Sequence, residues 1–174
     1  MIELKIKPIE IDHYILTGQI NDFSLINILK EKIKEKVKTS NLNYKTNVKG
    51  MFTGFKAFVE DEDFHKFIQS IKKEILIICK KNFLIQDAWG NIYFKDGEAI
   101  MHNHDGNDGF CGILYLTEGG PGTYFPQFDM NVEEKIGRFV LFHPLLDHEV
   151  KKIDKDIERI TIAFNTNLVK NWNI

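Results

Sequence analysis

The sequence offers little that would place the protein in a special environment. Its 174 residues include only two cysteines, Cys79 and Cys111, far apart and each in an apolar stretch. They form neither a CxxC pair nor a disulfide framework, which suits a reducing compartment, so a cytoplasmic protein is expected. No apolar run reaches the roughly eighteen residues that a membrane-spanning helix needs. The N-terminus, Met1-Ile2-Glu3-Leu4-Lys5-Ile6-Lys7, alternates charged and apolar residues where a signal peptide would carry an apolar core. Nor is there an excess of one charge: 23 Lys and Arg stand against 25 Asp and Glu, a net charge of −2. Lys30, Lys32, Lys34, Lys36 and Lys38 cluster, but Glu31 and Glu35 interleave them. That is the pattern of a solvated helix face rather than of a phosphate-tracking stripe, so neither nucleic acid nor membrane is expected as a partner.

Pro/Gly/Ser-rich linkers and internal repeats are also lacking, and the length suits a single domain over 1–174. What the chain does have is a change of texture near residue 84. The first part, 1–83, reads as mostly helical support. Ile26, Leu29, Ile33 and Val37 recur at helical spacing within 22–38. Phe64, Phe67, Ile68, Ile71, Ile75, Ile78 and Cys79 predict a longer amphipathic helix over 61–82. It opens with Glu60, Asp61, Glu62 and Asp63, which complement the positive end of the helix dipole. From 84 to 168 the pattern becomes short strands divided by Gly, Asn and Pro, near 90–95, 98–104, 110–117, 122–127, 137–143, 147–152 and 157–166. Such regular spacing predicts a β-sandwich or barrel.

Alternation within these strands separates two faces. In 157–165, Ile160, Ile162 and Phe164 form an apolar face, while Arg159, Thr161, Ala163 and Asn165 form a small, polar one. Asn91 and Tyr93 likewise oppose Ile92 and Phe94. A polar inner wall suits a barrel that encloses a ligand. His102 and His104, two apart on a predicted strand, share a face and can share a metal ion. A third ligand is expected from a neighbouring strand: His148 follows the hydrophobic run Gly137–Phe142 and a turn, with His143 as its competitor.

Together, Asn91-x-Tyr93, His102-x-His104, Gly112-Ile-Leu-Tyr115, Gly119-Gly120-x-x-Thr123-x-Phe125, Gly137-x-Phe-Val-Leu-Phe142, His148-Glu-Val150 and Arg159-x-Thr-x-Ala-Phe-Asn165 resemble the Fe(II)/2-oxoglutarate-dependent dioxygenase superfamily, in particular its prolyl-hydroxylase-like and small bacterial and phage members. The resemblance covers 89–167 closely and 45–82 more loosely. It implies a mainly β fold, a double-stranded β-helix (jelly-roll, cupin-like) core braced by the two helices. It also implies a hydroxylase that uses Fe(II), O2 and 2-oxoglutarate, the last decarboxylated to succinate, and acts on a peptide side chain or small molecule. By the same resemblance His102, His104 and His148 are the metal ligands, and Arg159 meets the far carboxylate of 2-oxoglutarate. Tyr93, Tyr115, Asn91 and Thr161 line the co-substrate pocket.

One departure stands out. The superfamily's proximal motif is His-x-Asp, whereas this chain reads His102-Asn103-His104-Asp105. Strand parity favours His104 as third ligand; a bend in the strand would instead bring in Asp105. A cupin that does not use 2-oxoglutarate and a catalytically inactive β-helix are the alternatives, the first leaving Arg159 without a role.

Overall fold

The computed structural model describes residues 3–7, 14–40, 46–105 and 108–169. Among the described residues twelve strands form, in chain order. β1 (Glu3–Lys7) and β2 (Ile15–Gln19) come first, then the helix α1 (Phe23–Thr39) and two short strands, β3 (Val48–Lys49) and β4 (Met51–Phe52). The second helix, α2 (Glu62–Cys79), leads into the long β5 (Phe83–Tyr93). After it come β6 (Glu98–His102), β7 (Cys111–Tyr115), β8 (Thr123–Phe125), β9 (Met130–Val132), β10 (Arg138–Phe142), β11 (His148–Val150) and β12 (Arg159–Leu168).

These strands build two antiparallel sheets. The larger has the order β1-β2-β10-β7-β12-β5-β4 and the smaller β3-β6-β11-β8-β9. Consecutive strands thus alternate between sheets along much of the second half, as a double-stranded β-helix requires.

Side-chain alternation on the large sheet decides what packs where. Leu114, Phe139, Leu141, Ile160, Ile162 and Phe164 point outward and are buried under the helices. Leu25, Ile26, Leu29, Ile33 and Val37 of α1 and Phe64, Phe67, Ile68, Ile71 and Ile75 of α2 meet them. Each such side chain contributes roughly 1.5–3 kcal/mol of burial free energy. The inward residues of the same strands, Cys111, Ile113, Tyr115, Val140 and Phe142, instead face the small sheet with Phe125 and Val132.

Both helices are capped by an aspartate. Asp22 accepts the Leu25 N–H at the start of α1, and Asp61 accepts from Asp63 and Phe64 at the start of α2. The lysines of α1 are not all free in solvent. Lys32 pairs with Asp61 and Asp63 at 2.9 and 2.6 Å, and Lys34 pairs with Glu158 at 2.9 Å. They tie α1 to the acidic start of α2 and to the entry of β12.

The N-terminal part is less helical than its sequence pattern suggests. β2 lies inside the large sheet, paired to β10 from Arg138↔Gln19 to Phe142↔Ile15, and β1 extends that edge. β5 also begins seven residues earlier than the predicted strand over 90–95. β6 ends at His102, so the expected strand over 98–104 stops two residues short.

Candidate functional site

The register of β12 against β5 sets one wall of an internal cavity. Arg159 lies beside Tyr93, Thr161 beside Asn91, Ala163 beside Trp89 and Asn165 beside Asp87. The inward faces of the two strands therefore form a ladder, with a cation at one end and a carboxylate at the other. The small sheet supplies the facing wall, where His148 of β11 pairs directly with His102 of β6.

Three histidines converge on that wall. One ring nitrogen from each of His102, His104 and His148 lies within 4.8 Å of the others, close enough to hold a metal ion between them. Two of the rings are oriented by backbone carbonyls. His102 Nδ1 contacts the Ile100 carbonyl at 2.7 Å, and His148 Nδ1 contacts that of Leu146 at 3.0 Å. A carbonyl can only accept, so each Nδ1 carries the proton and each Nε2 lone pair is left for a metal. His148 is 6% exposed and packs on the Phe142 ring, 4.6 Å between centroids.

His104 arrives differently. It lies beyond the end of β6, and its backbone N–H donates to the Pro144 carbonyl at 2.8 Å. That tether to the turn before β11, rather than the pleat of a strand, brings its ring to 5.3 Å from those of His102 and His148. Asp105 sits in the following turn, exposed, and is not among the converging groups. His143 points elsewhere: its Nδ1 accepts the Leu145 N–H and its ring meets Tyr14 edge-on.

Burial and the neighbouring His102 push the His148 pKa down to about 3, with its bond to the Leu146 carbonyl acting in the opposite sense. Burial and His102 likewise hold His104 down at about 4, with Asp87 acting in the opposite sense. Both imidazoles are therefore neutral near pH 7, the state in which they can ligate.

At the other end, Arg159 is 1% exposed. Its Nε donates to the Pro121 carbonyl at 3.0 Å, and its guanidinium lies over the rings of Tyr93 and Tyr115 at 4.9 and 5.5 Å. Glu158, its nearest acidic neighbour in sequence, is engaged with Lys34 instead. Among the described residues Arg159 makes no salt bridge, and its Nη2 is buried without a hydrogen-bond partner. Asn91 Oδ1 and Asn165 Oδ1 are orphaned in the same way along the cavity wall. Burying such groups unpaired costs about 1–3 kcal/mol each, and more for a charge, so a ligand with a fixed anionic group answers the orphaned cation. The donor set thus fits a divalent metal at the histidines and a carboxylate at Arg159.

Not every residue singled out in the sequence touches this cavity. Tyr93, Asn91, Thr161, Arg159 and the three histidines line it. Tyr115 stands behind the wall, with its hydroxyl donating to Thr123 Oγ1 at 2.7 Å. Trp89 and Asp87 went unrecognised in the sequence. Trp89 lies in the wall with Phe55 and Phe52 edge-on behind it, and Asp87 is held by Lys56 at 2.9 Å. The period of two that runs back from Tyr93 and Asn91 through Trp89 to Asp87 was the signal that could have found both.

No protein-family model and no curated protein matches the sequence. Solved structures match the fold. The viral collagen prolyl hydroxylase of Paramecium bursaria Chlorella virus 1, solved as a 2OG complex, superposes with a TM-score of 0.60 at 17% identity, over 87% of this chain and 96% of that one. This chain has the fold of the 2-oxoglutarate-dependent oxygenases. A prolyl-4-hydroxylase from Pseudomonas putida shares the oxygenase fold at a TM-score of 0.65 and 17% identity, covering 87% and 91% of the two chains. HygX from Streptomyces hygroscopicus, solved with nickel and 2-oxoglutarate bound, gives 0.61 at 10% identity, covering 89% and 82%. The expected jelly-roll core braced by two helices is therefore the architecture found.

Proposed function

We propose that the protein is a non-haem Fe(II)- and 2-oxoglutarate-dependent oxygenase that hydroxylates a peptide side chain or small molecule. The observation that carries this reading is the pairing, in one cavity of an oxygenase fold, of a three-histidine cluster with a buried arginine that makes no salt bridge among the described residues. When bound there, iron and 2-oxoglutarate would supply the coupling of O2 reduction to co-substrate decarboxylation and C–H hydroxylation.

The chain's own residues have separable tasks. His102, His104 and His148 would hold Fe(II) through neutral imidazoles, leaving the metal with its full double charge where a ligand carboxylate would have cancelled one unit. Arg159 would take the far carboxylate of 2-oxoglutarate through the free edge of its planar fork, preorganised between two tyrosine rings. Asn91 and Thr161, one step along the ladder, present hydrogen-bonding groups to the same ligand. Ile113, Phe142 and Ala163 give the cavity apolar lining, a low-dielectric setting that strengthens each of those contacts. The next cavity-lining rungs, Trp89 and Asn165, are left for the primary substrate. Arg159 also weighs against a cupin that does not use 2-oxoglutarate, in which so costly a buried cation would have nothing to bind.

The test is turnover of 2-oxoglutarate to succinate by the protein with Fe(II), ascorbate and O2. We expect slow succinate formation without added substrate, and Arg159→Ala to weaken 2-oxoglutarate affinity at least tenfold, since losing a desolvated charge-assisted pair costs about 2–5 kcal/mol. Equal affinity in both proteins would remove Arg159 from the site.

A further inference from the structure

Glu134, on the loop between β9 and β10, is 3% exposed and outside the cavity wall, yet it makes two short hydrogen bonds. Its Oε1 accepts from the Thr117 hydroxyl at 2.6 Å, and its Oε2 accepts from the Gly120 N–H at 2.6 Å. Both partners lead to Arg159. Thr117 Oγ1 accepts the backbone N–H of Ile160 at 2.8 Å, which fixes the main chain one residue after the arginine. Gly120 precedes Pro121, whose carbonyl accepts from Arg159 Nε at 3.0 Å and fixes the side chain.

The glycine pair at this loop serves the same contact. Gly119 adopts φ +93°, a conformation that favours glycine. A Cβ on Gly120 would stand 2.5 Å from Glu134 Oε2 and 3.5 Å from Arg159 Cδ. A side chain at 120 would therefore displace the Glu134 carboxylate and crowd Ile157 Cδ1, at 3.0 Å, whereas the arginine stem lies at ordinary contact distance.

We propose that Glu134 is the positioning residue of the anion pocket: one buried carboxylate that holds the 119–121 loop and the start of β12 so that the Arg159 fork faces the cavity. This rests on the reading that Arg159 receives the far carboxylate of 2-oxoglutarate. Glu134 acts through geometry, because both its bonds go to groups that in turn hold Arg159. Glutamine at 134 preserves that geometry. Its oxygen accepts from Gly120, and its NH2 donates to the spare lone pair of the Thr117 hydroxyl. Alanine cannot, and aspartate is about one methylene too short to reach both partners.

The experiment is anaerobic calorimetric titration of the Fe(II)-loaded protein with two probes, 2-oxoglutarate and oxalate. Oxalate chelates a metal but is too short to reach from the histidines to the arginine. Glu134→Ala should weaken 2-oxoglutarate binding at least tenfold with oxalate binding within twofold of wild type. Glu134→Gln should stay within threefold for both probes. Glu134→Asp should lose 2-oxoglutarate affinity selectively, and it carries the comparison if the alanine variant does not fold. Parallel loss of both probes in the alanine or aspartate variant would mean a general structural role and overturn the proposal. So would a glutamine variant as weak as alanine, because charge rather than loop geometry would then be responsible. Unchanged 2-oxoglutarate affinity in Glu134→Ala, with Arg159→Ala impaired, would overturn it while leaving the arginine reading intact. Unchanged affinity in Arg159→Ala would instead bring down the reading on which it rests.

Discussion

By the sequence resemblance, His104 stands where a His-x-Asp motif has its aspartate, and its route to the cluster runs through a loop rather than a strand. Strand parity puts His102 and His104 on one face, but β6 ends at His102. What positions His104 is the 2.8 Å bond from its N–H to Pro144, a long-range contact with no local sequence signal. Comparing His104→Ala with Asp105→Ala by iron content after reconstitution separates the two candidate ligands. We expect the first to lose the metal and the second, exposed in its turn, to retain it; the reverse result would restore a two-histidine, one-carboxylate site. The depressed histidine pKa values carry a second consequence. A folded pKa of about 3 for His148, against an ordinary 6.5, means that the unfolded chain takes up the proton preferentially. Its stabilising contribution is therefore complete above about pH 6.5 and is lost as pH falls towards the folded value. For the metal-free protein this amounts to about 2 kcal/mol by pH 5 from His148 alone. Urea midpoints measured between pH 7 and 5 should fall accordingly, and His148→Gln should flatten the dependence.

At the scale of elements, legibility followed packing. Both helices were readable because each buries one continuous stripe on the large sheet. β12 was readable on both faces, since a strand placing Arg159, Thr161 and Asn165 together on one side has no use for that side as core. The strands that escaped notice are short or interrupted. β3, β4 and β9 have two or three residues each, too few to alternate, and β2 carries Gly18 within its five. The first half of β5 was hidden because its inward positions lead from Asp87, paired with Lys56, to Trp89 in the cavity wall, and so carry no apolar core stripe. Glu134 was equally hidden: nothing in a surface-like run of Glu133, Glu134 and Lys135 reports that one carboxylate turns inward. The helix layer itself can be weighed through Phe67, which is fully buried and meets the rings of Phe64, Phe139 and Phe164 at 5.9, 5.8 and 5.9 Å. Phe67→Ala should cost about 3–5 kcal/mol in a denaturant titration. Because the outer face of the sheet is lost and not the inner one, metal content per folded molecule should be unchanged. A loss below about 1 kcal/mol would show that α2 contributes little to holding the sheet.

For the molecule as a whole, the two sheets divide the labour. The large sheet, stiffened from outside by α1 and α2, carries the ladder from Arg159 to Asp87. The small sheet carries the histidines, and the cavity between them is where an anion and a metal can be held a fixed distance apart. On the proposed reading one molecule of 2-oxoglutarate joins the two ends, meeting the metal with one carboxylate and Arg159 with the other. Anaerobic titration of the Fe(II)-loaded protein with 2-oxoglutarate, followed by visible absorption, tests this most directly. We predict a metal-to-ligand charge-transfer band that grows to saturation at one equivalent, is absent in His148→Ala, and requires a higher 2-oxoglutarate concentration in Arg159→Ala. Iron bound at the three histidines with no such band at saturating 2-oxoglutarate would show that the metal and Arg159 do not share this ligand.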